Sequence, residues 1–267
     1  MLDWVTVLKL LGLVLVSLTG IWFIFYLLCW LMLIALCLPV SMKKEYTKPS
    51  RFYGKVMNFG YWVLCGNAGI RMYATGIEKI PFGTRFLLIS NHRSSFDNMV
   101  QAYLLKKELL SYVTKKENFK IPIGRHFMKK ICYLPLNRGD IRCAVKVINQ
   151  AGEFIKNDEC SIGLFPEGTR TKDGFLGPFK PGCFKIAVKS KCPIVVTTTT
   201  GAEMVHKNWP WKRTDVYFDV IRVIPYEEYQ GKTTVEIAEM VRSIILEQLR
   251  IKGANAGPEY NEEFYHL

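Results

Sequence analysis

Charge is missing from the start of this 267-residue chain. Residues 1 to 42 carry only Asp3 and Lys9, and the 33 residues from Leu10 to Met42 carry none. That excludes a water-facing amphipathic helix there, because such a helix needs a charged face. Paired cysteines are missing too: the eight stand singly at 29, 37, 65, 132, 143, 160, 183 and 192. Without a CxxC, neither a zinc site nor a disulfide framework is expected, and the lone thiols suit a reducing compartment. The four histidines, at 92, 126, 206 and 266, are scattered, so no metal cofactor is expected. GxSxG is absent, which removes the usual sign of a serine-nucleophile elbow. Repeats and low-complexity tracts are absent as well, which argues against a solenoid.

What fills the uncharged stretch is apolar: LLGLVLVSLTGIWFIFYLLCWLMLIALCLPVSM. It exceeds the roughly 20 apolar residues that cross a bilayer. It is also too long for the apolar core of a signal peptide and lacks a small-residue cleavage site, so it is expected to be retained. One tilted span and a hairpin bent near Thr19-Gly20 both fit. Lys43, Lys44, Lys48, Arg51 and Lys55 follow at once, and this bias puts the downstream part on the cytoplasmic side. RFYGKVMNFGYWVLCGNAGIRMY, mixing aromatics with sparse basic residues, reads as a second helix, either interfacial or simply packed. The net charge is +13, and residues 106–146 alone hold eleven Lys or Arg against Glu108, Glu117 and Asp140. With an apolar anchor ahead of it, this basic excess points to a membrane bilayer and phosphorylated or acidic substrates, not to nucleic acid.

After about residue 75 the chain alternates β-like runs with helical patterns, the mark of a layered α/β domain. FLLIS (86–90), ICYLPLN (131–137), CSIGLFP (160–166), PIVVTTTT and DVYFDVIRVIP read as strands. Helices are expected from about 96 to 107, from Ile141 to Lys156, after KPG at 180–182, and in TTVEIAEMVRSIILEQLR. The expected division is an anchoring segment over 1–70, an α/β domain over 71–252 and a polar tail over 253–267.

Four short stretches carry candidate chemistry. In NHRSSFDN, His92 and Asp97 are five positions apart, about 140° around a continuous helix. Placed in a strand-to-helix turn, with Ser94 or Ser95 as N-cap, the imidazole can fold back onto the carboxylate. Such a pair makes a general base, the carboxylate fixing the tautomer and steadying the imidazolium. An isolated HxxxxD is more often a cap and a surface residue. In LFPEGTRTKDG, Gly168 lets a ligand approach the backbone, Thr169 offers a hydroxyl and Arg170 a planar fork for phosphate, with Glu167 beside them. A surface ion pair is the plainer reading. Arg138 in LPLNRGD and Lys115 in VTKKENFKIP stand at strand ends and are further candidates to face an anion.

NHRSSFDN, LPLNR, FPEGTR and CPIVV resemble, in order and approximate spacing, the four blocks of the glycerolipid acyltransferases, and most nearly the 1-acylglycerol-3-phosphate acyltransferase branch. The resemblance covers residues from about 75 to 225. It implies a single α/β acyltransferase domain, a mixed sheet flanked by helices, behind a membrane-anchoring N-terminus. It implies His92 as base, Asp97 as its orienting partner, and Glu167, Gly168 and Arg170 at the acceptor phosphate, with Lys115 and Arg138 in the acceptor site. The implied reaction moves an acyl group from acyl-CoA or acyl carrier protein to the sn-2 hydroxyl of lysophosphatidic acid, with no cofactor beyond that co-substrate. Glycerol 3-phosphate or another lysophospholipid as acceptor, a non-catalytic lipid-phosphate-binding protein, and a hydrolase using Ser94 or Ser95 are the alternatives. Two blocks depart from the family pattern: Leu136-Asn137-Arg138 replaces a phenylalanine- or isoleucine-rich ending with Asp-Arg, and PIVVTTTTG replaces an apolar run. Compact length favours a bacterial plasma membrane over the endoplasmic reticulum, with the site on the cytoplasmic face.

Overall fold

The structure is a computed structural model that describes residues 3–171 and 175–254; the expected polar tail lies outside the described residues from 255 onward. The uncharged stretch forms one continuous helix, α1 (Trp4–Cys37), capped by Asp3, whose carboxylate accepts the Thr6 N–H at 2.6 Å. No bend occurs at Thr19-Gly20, so of the two expected forms the single helix is adopted. By length and composition α1 is able to cross a membrane.

α2 (Arg51–Asn67) lies antiparallel to the end of α1, because the Tyr53 hydroxyl donates to Leu36 O at 3.0 Å while Asn67 Nδ2 reaches the Tyr26 hydroxyl at 3.5 Å. The second helix stops earlier than its aromatic pattern suggests. Ile70–Thr75, of which the residues up to Tyr73 read with that helix from sequence, is a strand, β1. Only Ile70 of its six residues is buried, so the strand shows no apolar alternation and owes its existence to its neighbour.

The other elements are β2 (Leu87–Ser90), α3 (Asp97–Leu104), β3 (Leu110–Lys115), α4 (Gly124–Lys130), β4 (Leu134–Leu136), α5 (Ile141–Lys156), β5 (Ser161–Leu164), α6 (Lys185–Ser190), β6 (Ile194–Thr200), α7 (Val205–Asn208), β7 (Thr214–Ile224), α8 (Tyr226–Tyr229) and α9 (Thr234–Ile251). The strands form one seven-stranded sheet in the order β1-β7-β6-β2-β5-β3-β4. β6 and β7 pair antiparallel, and every other pair is parallel, so the sheet is mixed as expected. β2, β5 and β6 are buried along their whole length, which is why they read as near-continuous apolar or threonine runs.

Alternate residues of β2 feed two cores. Leu87 and Ile89 face a layer built with α5, α6 and α9, whereas Leu88, with Phe86 just before the strand, faces a layer built with α2, α3 and α4. α5 matches its apolar spacing, with Val147, Ala151 and Ile155 inward and Asp140 capping through the Cys143 N–H at 3.1 Å. α9 is fixed at its start by a capping box of Thr233 and Glu236. β2 runs into α3 on one face of the sheet, and its neighbour β5 runs on to α6 on the other. The carboxyl ends of β2 and β5 are therefore the switch point, the place where open α/β sheets hold ligands.

Candidate active site

Both specific blocks of the sequence leave the sheet at this switch point. Asn91 and His92 leave β2, and Phe165 to Arg170 leave β5. Asn91 is pinned to β6, its side chain donating to Thr199 O at 2.9 Å and accepting the Thr199 N–H at 2.8 Å. With its neighbour so fixed, the His92 ring is held on two sides. Its Nδ1 is 2.9 Å from Asp97 Oδ2, and its face stacks on Phe165 with centroids 4.2 Å apart and planes 15° from parallel. Phe165 stacks in turn over Tyr112 at 6.2 Å.

Asp97 is fully buried, and Oδ2 also accepts the backbone N–H groups of Arg93 and Ser94, each at 2.8 Å. An oxygen that takes two N–H donors carries no proton, so the imidazole is the donor at Nδ1, and the lone pair of the neutral ring is then on Nε2. Burial pushes the Asp97 carboxyl above its ordinary value, and the His92 bond and the two backbone donors pull it down. Asp97 Oδ1 is buried with no partner among the described residues. The serines do not cap α3 as expected: Phe96 occupies the N-cap without a side-chain bond, and the Ser94 hydroxyl accepts the Phe96 N–H at 3.3 Å. Asp97, the first helical residue, reaches back instead to the N–H groups of the turn before the helix. Among the described residues neither serine is bonded to His92, so the pair lacks a third member that a hydrolase needs.

Glu167 sits elsewhere than a phosphate-facing reading requires. It is buried, and its two oxygens accept the N–H of His92 at 2.7 Å and of Gly177 at 3.0 Å. It clasps the histidine's backbone from β5. Burial pushes its carboxyl up to about 7 against the pull of those two backbone donors. Thr171 adds a second tie, its N–H donating to His92 O at 3.2 Å. Thr169 and Arg170, exposed and just before Thr171, are thereby held close to the histidine segment.

Gly168 has a φ of +69°, and a Cβ there would lie 3.0 Å from Lys180 Cε and 3.4 Å from its Nζ. Glycine thus allows both the turn and the passage of a lysine side chain across it. Lys180 is a cation at the site that the sequence reading missed. Its signal was the FKPG that returns after the loop, where the Lys180 N–H donates to Pro166 O at 2.9 Å.

Lys115 and Arg138 are more distant. Register carries Leu88 to Gly163 to Tyr112, so Lys115 stands level with Asn91, two strand spacings or about 10 Å away. Its side chain lies 3.7 Å from Glu117. Leu136 pairs with Lys115, and Arg138 follows two residues later, exposed at the sheet edge. Both share the carboxyl edge with His92, although neither touches the His92–Asp97–Glu167 cluster. The edge is basic, with a half-buried histidine on a buried carboxylate at its centre.

The acyltransferase family model matches residues 71–199, which contain all of these groups. Residues 71–199 are an acyltransferase-family domain. Over 127 residues the chain is 37% identical to the chloroplastic 1-acyl-sn-glycerol-3-phosphate acyltransferase of Brassica napus, covering 47% of this chain and 36% of that one. The chloroplastic enzyme of the same name from Arabidopsis thaliana is 30% identical over 175 residues, 65% of this chain and 48% of its own length. The chain thus spans half or less of these two relatives. The crystal structure of the 1-acyl-sn-glycerophosphate acyltransferase PlsC from Thermotoga maritima superposes with a TM-score of 0.63 over 77% of this chain and 81% of that one. At 21% identity, the likeness to that acyltransferase is one of fold.

Proposed function

We propose that this chain is a 1-acylglycerol-3-phosphate O-acyltransferase that uses His92 as its general base. The observation that carries the reading is the His92 Nδ1–Asp97 Oδ2 pair at 2.9 Å, set at the switch point of the sheet beside the FPEGTR turn. The names of the relatives support the choice of acceptor. The sn-2 hydroxyl of lysophosphatidic acid gives its proton to His92 Nε2 as its oxygen attacks the carbonyl of an acyl thioester. The tetrahedral intermediate then expels the thiolate, which takes that proton back from the imidazolium. Asp97 stabilises the charged ring throughout. The product is phosphatidic acid, and the thiol of CoA or of acyl carrier protein leaves. Arg170, Thr169 and Lys180 receive the acceptor phosphate over Gly168, with Lys115 and Arg138 further along the basic edge. Glu167 acts through His92, as a positioning residue. α1 holds the domain at a membrane, and the lysines after it favour the cytoplasmic face.

The test offers the purified chain a panel of lyso-acceptors with acyl-CoA or acyl carrier protein, and identifies products by mass. Acylation of lysophosphatidic acid is expected, and turnover of none of the acceptors would sink the reading. His92→Ala should lose about 10²–10⁴ in kcat while remaining folded and membrane-bound. Substantial residual turnover there would leave the chain an acyltransferase with another base.

A further inference from the structure

Residues 8–25 of α1 are exposed on every side, and Tyr26 is the first side chain after them to be partly covered by the domain. That bare stretch is about 27 Å long at 1.5 Å per residue, close to the roughly 30 Å hydrocarbon thickness of a bilayer. Asn67, at the end of α2, reaches the Tyr26 hydroxyl, and Asn67 O accepts the Trp209 indole N–H at 3.0 Å. Trp209 therefore stands level with the point where the bare helix begins.

The segment around Trp209 has the composition of a membrane-interface element. Residues 204–213, MVHKNWPWKR, carry three cations and no acid. Trp211 is 93% exposed and Trp209 56% exposed, and Lys207, Lys212 and Arg213 are exposed among them. Indole rings prefer the headgroup level, and Lys and Arg beside them complement anionic lipid. The one acid that precedes the segment, Glu203, is engaged by Arg93 at 3.1 Å.

We infer that the 204–213 loop is a second membrane contact, with Trp209 and Trp211 in the headgroup layer and Lys207, Lys212 and Arg213 on anionic phosphates. This rests on the reading of α1 as a membrane helix and adds to it an orientation. The loop is tied to the candidate site: the His206 ring lies 5.9 Å from Phe96 of NHRSSFDN. A 270 Å³ cavity lined by Asn67, Ala68, Phe96, Val205, His206 and Trp209 lies between them. Seating the loop in the interface turns that side of the His92 turn toward the lipid, so that a lipid acceptor enters sideways from the leaflet.

The test places a benzophenone amino acid at position 211 of the full chain, reconstituted in vesicles of phosphatidylcholine with or without phosphatidylglycerol. Parallel chains carry it at position 15 in α1 and at position 251, 73% exposed at the end of α9 on the far side of the sheet. Illumination should give lipid adducts, read by mass, at 15 and 211 and none at 251. Adducts at 211 should fall at least about fivefold without the anionic lipid, or with Lys207→Glu, Lys212→Glu and Arg213→Glu combined. Adducts at 15 but none at 211 would overturn the loop contact and leave the membrane helix standing. No adduct at 15 would overturn the membrane reading itself, and the loop contact with it.

Discussion

At the scale of single residues, the site is organised around one histidine whose neighbours all restrain it. Glu167 is the least obvious of them, since a glutamate in a phosphate-binding turn invites the thought that it meets the ligand. Its two backbone acceptor bonds give it another task and a measurable pH signature. Its folded value of about 7 stands above the ordinary 4.5, so between those limits the folded chain holds a proton that the unfolded chain has released. Stability is then greatest below the lower limit and falls as pH rises through the window, by of order 3 kcal/mol in total. Urea denaturation of wild type and Glu167→Gln at pH 5 and pH 7.5 should show the wild type losing ground to the variant. A pH-independent difference would contradict this. Because an amide accepts through only one of its two heavy atoms, Glu167→Gln should also lose one of the N–H bonds at His92 or Gly177, and kcat should fall. Gly168 and Lys180 make a second pair. Gly168→Ala places a Cβ on a left-handed residue and against the lysine, at about 1–2 kcal/mol in stability. Lys180→Met should raise the KM for lysophosphatidic acid several-fold with kcat little changed; an unaltered KM would remove this lysine from the phosphate site.

At the scale of elements, what the sequence made legible followed from local pattern. α5 runs from Ile141 to Lys156 as its spacing indicates, and α9 begins at a capping box. β2, β5 and β6 are central strands and read as such. β1 escaped because it is an exposed edge that nothing local marks, and β3 showed only at its end, where Lys115 reads as standing at a strand end. Their strand character comes from partners far away in sequence. The order of the site was legible too, since His92, Asp97 and the FPEGTR turn meet as proposed. The work of Glu167 and Lys180 was not, because it depends on which backbone lies within 3 Å, and spacing does not encode that. The threonines of PIVVTTTTG, unusual for an apolar block, are buried and used: Thr197 donates to Ile89 O at 3.0 Å, and Thr199 accepts from Gln101 at 3.0 Å. β5 contributes a requirement of its own. A Cβ at Gly163 would lie 2.5 Å from the Tyr112 ring, which supports Phe165 and through it His92. Gly163→Val should cost about 1–3 kcal/mol by overpacking and lower kcat as well, seen in thermal unfolding and turnover together.

At the scale of the whole molecule, the charge of +13 and the basic carboxyl edge should draw acidic partners to the site. Acyl-CoA and acyl carrier protein are both acidic, so the KM for either donor should rise between low and high salt, while kcat changes little. A donor KM indifferent to ionic strength would show that the surface charge serves the membrane alone. The pairing of β1 with β7 has a further consequence, one of timing. About 180 residues separate the end of α1 at Cys37 from the start of β7 at Thr214. At about 5–20 residues per second, that is on the order of 10–40 s of synthesis. β1 emerges early and has no strand to pair with until β7 arrives, so its edge stays open for most of translation. α1, by contrast, needs no partner from the rest of the chain to be complete. The ribosome therefore delivers α1 long before the sheet can close, and on the proposed membrane reading the domain finishes folding already tethered.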